Sequence, residues 1–390
     1  MPDHTLDTRL VHAGEPWPRV EGAVVTPVFQ TAMYLSRPGE AYHEQGYIRL
    51  STTPNHRVLA DKLCAIEGGE AAITTSSGMA ALTSAILAFA GSGDRVMTQR
   101  ALYGGTHGFF ESELKAFGIG VDAVDPNDPA DWKRRLTPRT RVLYCETITN
   151  PTMAVGDLPG LAAFAMENEL VSIIDNTFAT PINFRPIEHG FDISVHSATK
   201  YLNGHTDIVA GCAIGSEEHI ARVKHRVDHL GGCLDPHAAF LLHRGMRTLA
   251  LRVGRQNESA LALARALEGR SRVATVNYPG LESHADHVRA RRLFVEQSGG
   301  GFGGMLSIEI DGSVEDTMAF IAALSIPLKA PSLGGVETLV GRPAATSHAA
   351  LEPNERRALG IPDTMVRIST GIEGVEDLKA DFVQALERIG

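Results

Sequence analysis

The residues with the clearest chemical potential lie in the stretch DISVHSATKYLNGH, residues 192–205. An apolar strand is predicted to end near Ser197, and Lys200 follows in a short polar turn. A lone lysine is usually a solvated surface residue, but here the hydroxyls of Ser197 and Thr199 stand beside the amine. This arrangement suits a lysine that forms an imine with a carbonyl group, close to hydroxyls that contact a phosphate.

A second stretch, TTSSGMAAL at residues 74–82, has the features of a phosphate-binding turn. The pattern predicts a strand, a Ser-Ser-Gly turn and a helix that begins at Met79. Free backbone N–H groups and small hydroxyls at a helix N-terminus bind anions, which makes Ser77, Gly78 and Met79 candidates for phosphate contact. Taken alone, the stretch reads more readily as an ordinary capped helix.

The third candidate is Asp175, which ends the mostly apolar run VSIID. The run predicts a buried parallel strand, and ligands bind at the carboxyl ends of such strands in open α/β sheets. A carboxylate in that place can also simply cap the next element. A phosphate seat, a strand-end Asp and a turn Lys, in that order, are nevertheless the parts that a pyridoxal 5'-phosphate enzyme needs. Lys200 would form the Schiff base and Asp175 would hold the pyridinium nitrogen.

Other motifs carry weaker signals. GIGVDA (residues 118–123) matches a dinucleotide fingerprint, but a predicted helix precedes it and a strand follows, the reverse of the required order. GGGFGG (residues 299–304) leads into a strand rather than a helix, so we interpret it as a flexible turn. Two histidine pairs at helical spacing lack a metal-binding arrangement, so no metal site is expected; they are His225 with His229 and His284 with His287.

The elements that must hold the candidate residues alternate between strand and helix from about Ala71 onwards. Short strands are predicted at AAITT, RVMT, GVDAV, RVLYC and VSIID, with helices at Met79–Ala90 and Gly108–Phe117 among them. Such alternation predicts an α/β fold, a mostly parallel sheet flanked by helices. Residues 235–270 are strongly helical, and the later strands LSIEI and VRIST predict a smaller C-terminal α+β domain.

Three regions follow from these patterns. Residues 1–50 are rich in Pro, Gly and polar residues with little periodicity, and they predict an N-terminal arm. Residues 51–246 would form the large ligand-binding domain and residues 247–390 the C-terminal domain, which suits a chain of 390 residues.

The composition of the chain limits the classes of binding partner and the cellular compartment that we expect. The chain has 36 basic and 46 acidic residues, a net charge of −10, and no Lys/Arg-rich run, which argues against a nucleic-acid partner. Its most membrane-like stretch, Met79–Ala90, is far shorter than the roughly 20 apolar residues of a spanning helix, so no membrane partner is expected. The four scattered cysteines fit a reducing, cytoplasmic location rather than a disulfide framework.

Taken together, these motifs resemble the Cys/Met-metabolism, or trans-sulfuration, family of fold-type I pyridoxal 5'-phosphate enzymes. The resemblance runs from about Leu10 to the C-terminus, and its most specific stretch is SVHSATKYLNGHTDIVAG, residues 194–211. It implies that Lys200 carries the cofactor and that Asp175 holds the pyridinium. Tyr103, in ALYGGT, would stack on the ring and act as an acid or base.

The resemblance also implies roles for residues that local patterns did not single out. Phosphate contacts would come from Ser77, Gly78, Met79, Ser197 and Thr199, and from Tyr47 and Arg49 of a neighbouring subunit. Arg367 would clamp the substrate α-carboxylate with Ser332 beside it, while Asn150 would contact the ring oxygen. A homo-oligomer is therefore expected, a dimer at least and a dimer of dimers by family resemblance.

Two departures concern the distal end of the substrate. Methionine γ-lyases usually have Cys where this chain has Gly105, and cystathionine γ-lyases usually have Glu where it has Gly46. Glu337 does match the acidic residue of cystathionine-handling members.

The expected reaction is γ-elimination on a sulfur-containing amino acid, like that of a cystathionine γ-lyase. The alternative is γ-replacement, as in a cystathionine γ-synthase or an O-acyl-homoserine sulfhydrylase. A cofactor-binding regulator without turnover is a third possibility, against which the complete set of Lys200, Asp175 and Tyr103 argues.

Overall fold

Strands form two sheets in the computed structural model, which describes residues 4–389. The larger sheet contains β1 (Ala71–Thr75), β2 (Arg95–Gln99), β3 (Gly120–Val124), β4 (Thr140–Glu146), β5 (Val171–Asp175), β6 (Ile193–His196) and β7 (Gly211–Gly215). The smaller sheet contains β8 (Val273–Asn277), β9 (Met305–Ile310), β10 (Leu328–Lys329), β11 (Leu339–Gly341) and β12 (Met365–Ser369). The predicted α/β fold with a smaller C-terminal α+β domain is confirmed.

Helices cover both sheets. They are α1 (Leu6–His12), α2 (Pro54–Glu67), α3 (Gly78–Phe89), α4 (Gly104–Gly108), α5 (Pro129–Arg135), α6 (Leu158–Glu167), α7 (Thr180–Asn183), α8 (Glu217–Leu230), α9 (Pro236–Met246), α10 (Leu249–Leu267), α11 (His287–Ala290), α12 (Val314–Ala323), α13 (Pro353–Ala358) and α14 (Val375–Glu387). The first three residues of the predicted arm and the last residue of the predicted C-terminal domain lie outside the described residues.

The larger sheet is mostly parallel, with the strand order β1-β7-β6-β5-β4-β2-β3. Strands β6, β5, β4, β2 and β3 run parallel to one another, whereas β7 is antiparallel to both β6 and β1. Sequence patterns did not predict β7, whose five residues, GCAIG, include two glycines that weaken the strand signal. Pairing along both of its edges stabilises a strand that local propensity does not favour.

Alternation along the strands sends successive side chains into two separate cores. In β4, Val142 packs in a core that includes Leu82 of α3. The next residue, Leu143, faces the opposite core, which includes Leu63 of α2. Because helices cover both faces, the strands carry continuous apolar runs rather than a clean alternation of apolar and polar residues.

The smaller sheet has the order β10-β11-β12-β9-β8 and is antiparallel except at the β10–β11 pair. Its core joins Ile308 of β9 and Ile368 of β12 to Leu263 of α10, Phe320 of α12 and Phe382 of α14. Helices therefore cover the face that these two strands turn away from solvent.

The N-terminal segment is more ordered than its composition predicts. Residues Leu6–His12 form a helix, and Leu10 is buried in the core of the larger sheet. The buried amine of Lys62 donates a hydrogen bond to the Leu10 carbonyl at 2.5 Å. A helix of seven residues shows little periodicity in the sequence, and its stability comes from packing on α2.

A shifted helix boundary matters for the site. The predicted helix at Gly108–Phe117 begins instead at Gly104 and continues as a π-helical turn over Phe109–Leu114. Glycines have low helix propensity, which hid this start in the sequence. The backbone of Ser347 lies so close to Gly104 that a Cβ there would clash with it. Because α4 begins at Gly104, Tyr103 is the residue that flanks its N-terminus.

Candidate active site

A cavity of about 660 Å³ lies at the carboxyl ends of the parallel strands. It brings together the predicted residues Ser77, Gly78, Met79, Tyr103, Asn150, Asp175, Ser197, Thr199, Lys200, Ser332 and Arg367. These residues come from both sheets and their loops, so the site exists only where the two parts of the chain meet.

Strand register explains why several of these residues converge. In the parallel pair β4–β5, Glu146 lies opposite Asp175, and in β5–β6, Asp175 lies opposite Val195. All three strands end at about the same level, so the residues that follow them share one edge of the sheet. Ser197 and Lys200 follow β6 directly and enter the cavity from that edge.

The N-terminus of α3 has the geometry expected of the predicted phosphate seat. Ser77 precedes the helix, and its Oγ accepts a hydrogen bond from the Ala80 N–H at 3.1 Å. A Cβ at Gly78 would lie 2.6 Å from the Cβ of Ser197, so glycine allows the two loops to touch. The Ser197 N–H donates to the Thr177 hydroxyl at 2.8 Å, which holds that loop in place. Backbone N–H groups at the start of a twelve-residue helix suit an anion.

The hydroxyl of Thr199, a predicted phosphate contact, already has hydrogen-bond partners within the chain. Its hydroxyl donates to the Ala210 carbonyl at 3.1 Å and accepts from the Ala210 N–H at 2.9 Å. Its side chain lines the cavity, but the hydroxyl is engaged with the backbone of the chain. A contact between Thr199 and a phosphate stays a prediction.

Asp175 suits a pyridinium nitrogen. One carboxylate oxygen accepts a hydrogen bond from the Thr177 N–H at 2.9 Å. Burial raises the pKa of Asp175, while the hydrogen bonds from Thr177 and the nearby His196 oppose that shift. Within residues 4–389, Asp175 forms no ion pair with a lysine or arginine. A cationic N–H group of a ligand would supply the missing partner for this carboxylate.

Lys200 has the properties of a reactive amine. Its Nζ donates a hydrogen bond to the Ser332 hydroxyl at 2.6 Å. Burial, together with the positive charge of Arg367, lowers the pKa of Lys200 to about 8. A much larger fraction of the amine is therefore neutral near pH 7 than for an exposed lysine, and the neutral form is the nucleophile and the base.

Arg367 lies buried on β12 and points into the same cavity. Its guanidinium donates to the Asn150 side-chain oxygen at 3.2 Å and to the Ser332 carbonyl at 3.0 Å. Burial lowers the pKa of Arg367 to about 10, and the group stays charged at neutral pH. Neither of these two partners is a carboxylate, so an incoming carboxylate would be a favourable further partner for the guanidinium.

Ser332 holds an unusual backbone conformation, with φ at 101°. A residue with a side chain adopts such a conformation at a cost of about 1–3 kcal/mol, and only where its surroundings enforce it. Here Arg367 binds the carbonyl and Lys200 binds the hydroxyl of the same residue. Ser332 therefore ties the amine and the guanidinium together.

Tyr103 presents its ring at the mouth of the cavity, with 41% of the residue exposed. A Cβ at Gly105 would lie 2.6 Å from Cε1 of the ring. Any larger residue at this position, including the cysteine of methionine γ-lyases, would require the ring to move. Gly105 is thus compatible with the observed ring position.

Several lining residues were missed by sequence reasoning. Thr177 and Glu146 could have been found, because Thr177 follows Asp175 by two residues and Glu146 ends β4 as Asp175 ends β5. Thr346 and Ser347 also line the cavity, and they come from a loop far along the chain. Their sequence context carries no chemical signal.

Three predicted residues do not line this cavity of the described chain. Arg49 donates to the Asp228 carbonyl at 2.9 Å and to the Tyr42 hydroxyl at 2.6 Å, and its guanidinium lies 5.3 Å from the centre of the Tyr47 ring. Glu337 accepts a hydrogen bond from the Thr206 hydroxyl at 3.0 Å. Cofactor contact by Tyr47 and Arg49, and substrate contact by Glu337, stay predictions.

Residues 4–389 lack two kinds of feature. No group of three or more His, Cys, Asp or Glu side chains is placed to hold a metal ion. No helix of this part combines the length and the apolar character needed to cross a membrane.

Gly78→Ala should weaken pyridoxal 5'-phosphate binding by about tenfold or more, or at least 1.4 kcal/mol. The added methyl group would push the loop of Ser197 away from the helix N-terminus. Cofactor titration followed by absorbance measures the change. Gly108→Ala is the matched control, since a Cβ there meets nothing within 4 Å. Equal affinities for the two variants would contradict the assigned phosphate seat.

The chain is similar in sequence to enzymes of sulfur amino-acid metabolism. It is 39% identical to cystathionine γ-synthase 1, chloroplastic, of Arabidopsis thaliana, over 97% of this chain and 68% of the relative. It is 38% identical to cystathionine β-lyase of Coxiella burnetii, over 98% of this chain and 97% of the relative.

Two solved structures have the same fold as this chain. Cystathionine γ-lyase of Lactobacillus plantarum, solved with L-serine, superposes with a TM-score of 0.93 at 31% identity, with 99% of each chain covered. A protein described as an O-acetylhomoserine (thiol)-lyase of Campylobacter jejuni gives a TM-score of 0.92 at 28% identity, over 98% of this chain and 100% of that chain. The latter contains N'-pyridoxyl-lysine-5'-monophosphate. Residues 7–387 match the Cys/Met metabolism PLP-dependent enzyme family, and this chain is a pyridoxal 5'-phosphate enzyme that belongs to it.

Proposed function

We propose that this enzyme cleaves the Cγ–S bond of a sulfur-containing amino acid such as cystathionine, in trans-sulfuration. The observation that carries the proposal is the arrangement around one cavity of a lysine with a lowered pKa, an exposed tyrosine ring and a buried arginine. Lys200, Tyr103 and Arg367 provide a base, a candidate acid and a carboxylate-binding group for one small amino acid.

Substrate binding depends on Arg367. The guanidinium is pre-oriented by Asn150 and the Ser332 carbonyl, so it loses little freedom when a carboxylate arrives. A bidentate contact with the α-carboxylate would then direct Cα towards Lys200. This positioning selects α-amino acids as the substrate class.

Proton transfer is assigned to Lys200 and Tyr103. When bound, pyridoxal 5'-phosphate supplies a sink for the electrons left on Cα after its proton is removed. Lys200, neutral in part and held by Ser332, is placed to take that proton. Elimination also requires the loss of a Cβ proton and a proton for the departing sulfur, and Tyr103 at the cavity mouth is the candidate acid. Water then completes the conversion to a 2-oxo acid and ammonia.

γ-Replacement is the alternative. The Arabidopsis relative is named as a γ-synthase, and the Campylobacter structure as an acyl-homoserine thiol-lyase. Both reactions begin with loss of the γ substituent, and they differ in whether a thiol or water completes the sequence. Gly46 and Gly105 have no side chain that could select the distal group of the substrate. Glu337 is the candidate contact for a distal ammonium group.

We also propose a cytoplasmic homo-oligomer, a dimer at minimum and a dimer of dimers by family. The N-terminal segment exposes large apolar residues, including Trp17 at 87% and Leu35 at 96%, which a second copy would cover. The same segment holds Tyr47 and Arg49, which would reach the phosphate of the neighbouring site. All four cysteines are free thiols, which suits a reducing compartment.

The function is tested by product analysis on a substrate panel. With cystathionine alone, the purified enzyme should release a 2-oxo acid and cysteine, and Lys200→Ala should release neither. The same enzyme with an O-acyl-homoserine and cysteine tests replacement. Formation of cystathionine at a faster rate than its cleavage would overturn the lyase assignment in favour of γ-replacement.

Asp175→Asn should reduce kcat by about 10²–10³-fold, the usual effect of removing one electrostatic contact from a catalytic site. The amide can still accept the Thr177 N–H, so the fold should persist, but it has no charge with which to hold a pyridinium nitrogen protonated. Exchange of the substrate Cα hydrogen in deuterated water measures this step directly. Exchange at the wild-type rate would exclude the assigned role.

The shared site is tested with two inactive variants. Arg49→Ala should lose the neighbour's phosphate contact and Lys200→Ala the reactive amine, so each homo-oligomer should be nearly inactive. Hybrids of the two contain one site in which both residues are intact, and mixing should restore a fraction of activity. Absence of rescue after subunit exchange has been verified by mass would count against the shared site.

A further inference from the structure

Glu146 is a buried acid that the proposed mechanism does not use. It is 5% exposed, ends β4 and lines the cavity. Its register partner in β5 is Asp175, so two carboxyl groups stand side by side on neighbouring strands. Burial, with a contribution from the Asp175 charge, raises the pKa of Glu146 to about 8. At neutral pH most of the group is protonated, and the pair avoids two adjacent buried charges.

The hydrogen bonds of Glu146 lead to the loop that precedes α4. Its Oε1 accepts the backbone N–H of Tyr103 at 2.6 Å, and the backbone N–H of Asn150 also stabilises its charged form. Its own N–H donates to the side-chain oxygen of Gln99 at 3.2 Å. The Gln99 amide in turn donates to the Ala101 carbonyl at 2.7 Å. The end of β4 therefore fastens the segment 99–103 at two points.

Tyr103 needs such an attachment. It flanks the N-terminus of α4, where backbone N–H groups have no helical acceptor. Two glycines follow it, so the local sequence restrains its backbone weakly. With 41% of the residue exposed, packing against neighbours covers only part of the side chain.

We infer that Glu146 is a positioning residue for the reaction: by accepting the Tyr103 N–H, it fixes the Tyr103 ring over the cavity. The inference rests on the proposed role of Tyr103. Glu146 acts through the backbone rather than through contact with substrate. The required property is a buried acceptor of this length, and a neutral amide oxygen provides one as well as a carboxyl group does.

Two variants separate this role from general stabilisation. Glu146→Gln keeps the acceptor, whereas Glu146→Leu has a similar volume and none. Hydrogen–deuterium exchange of the Tyr103 amide in the purified holoenzyme should be unchanged in Glu146→Gln and at least tenfold faster in Glu146→Leu. This measurement needs no turnover, so it remains informative if the enzyme does not cleave cystathionine. Unchanged exchange in Glu146→Leu would overturn the inference, as would fast exchange in Glu146→Gln.

Kinetics give the second measurement, on whichever substrate of the panel is turned over. A displacement of about 1 Å at a reacting group can lower kcat by about 10²-fold, and we expect that loss in Glu146→Leu with KM changed less than threefold. Glu146→Gln should stay within threefold of wild type in both parameters.

The double variant tests whether Glu146 acts through Tyr103. In a Tyr103→Phe background, the fold-loss of kcat caused by Glu146→Leu should be less than a fifth of its value in the wild type, because both changes remove the same contribution. Equal losses of kcat in the two backgrounds would overturn the inference. If Glu146→Leu does not fold, a loss of kcat of more than tenfold in Glu146→Gln would overturn it instead.

Discussion

The parallel register of β4, β5 and β6 is the constraint on which the site depends. It places Glu146 opposite Asp175 and Asp175 opposite Val195, so that the loops after three strands meet at one edge. Successive residues of a strand face opposite sides of the sheet, so a slip of one residue would turn Asp175 away from the cavity. The two apolar cores prevent that slip, because it would bring the wrong side chains to each face.

Electrostatics in the cavity are organised for an external ligand. The positive charge of Arg367 contributes to the lowered pKa of Lys200, and within the described chain Asp175 forms no ion pair with a lysine or arginine. Buried charges are normally paired, since an isolated one is costly to remove from water. A cofactor with an anionic phosphate and a cationic ring, and a substrate with a carboxylate, would supply the missing partners. Shifted pKa values of buried groups around one cavity are typical of functional sites.

Small residues complete the geometry. Gly78 lets the N-terminus of α3 touch the Ser197 loop, and Gly104 lets α4 approach the backbone of Ser347. Gly105 gives the Tyr103 ring its space. At each position the absence of a side chain permits a close approach of another part of the chain, at some expense of helix propensity.

The sequence by itself determined the parts of the site that are continuous along the chain. Lys200 with its neighbouring hydroxyls, Asp175 at the end of VSIID and the turn before α3 were each visible in a few consecutive residues, as was the alternation that predicted the parallel sheet. Glu146 ends RVLYCE as Asp175 ends VSIID, so the same local signal could have identified it.

Only the tertiary structure decided which distant residues meet. Lys200 bonds to Ser332 across 132 residues, Tyr103 to Glu146 across 43, and β7 forms between two strands despite its glycines. Local sequence propensity cannot predict such contacts, because the free energy that stabilises them comes from strand register and from packing between distant segments.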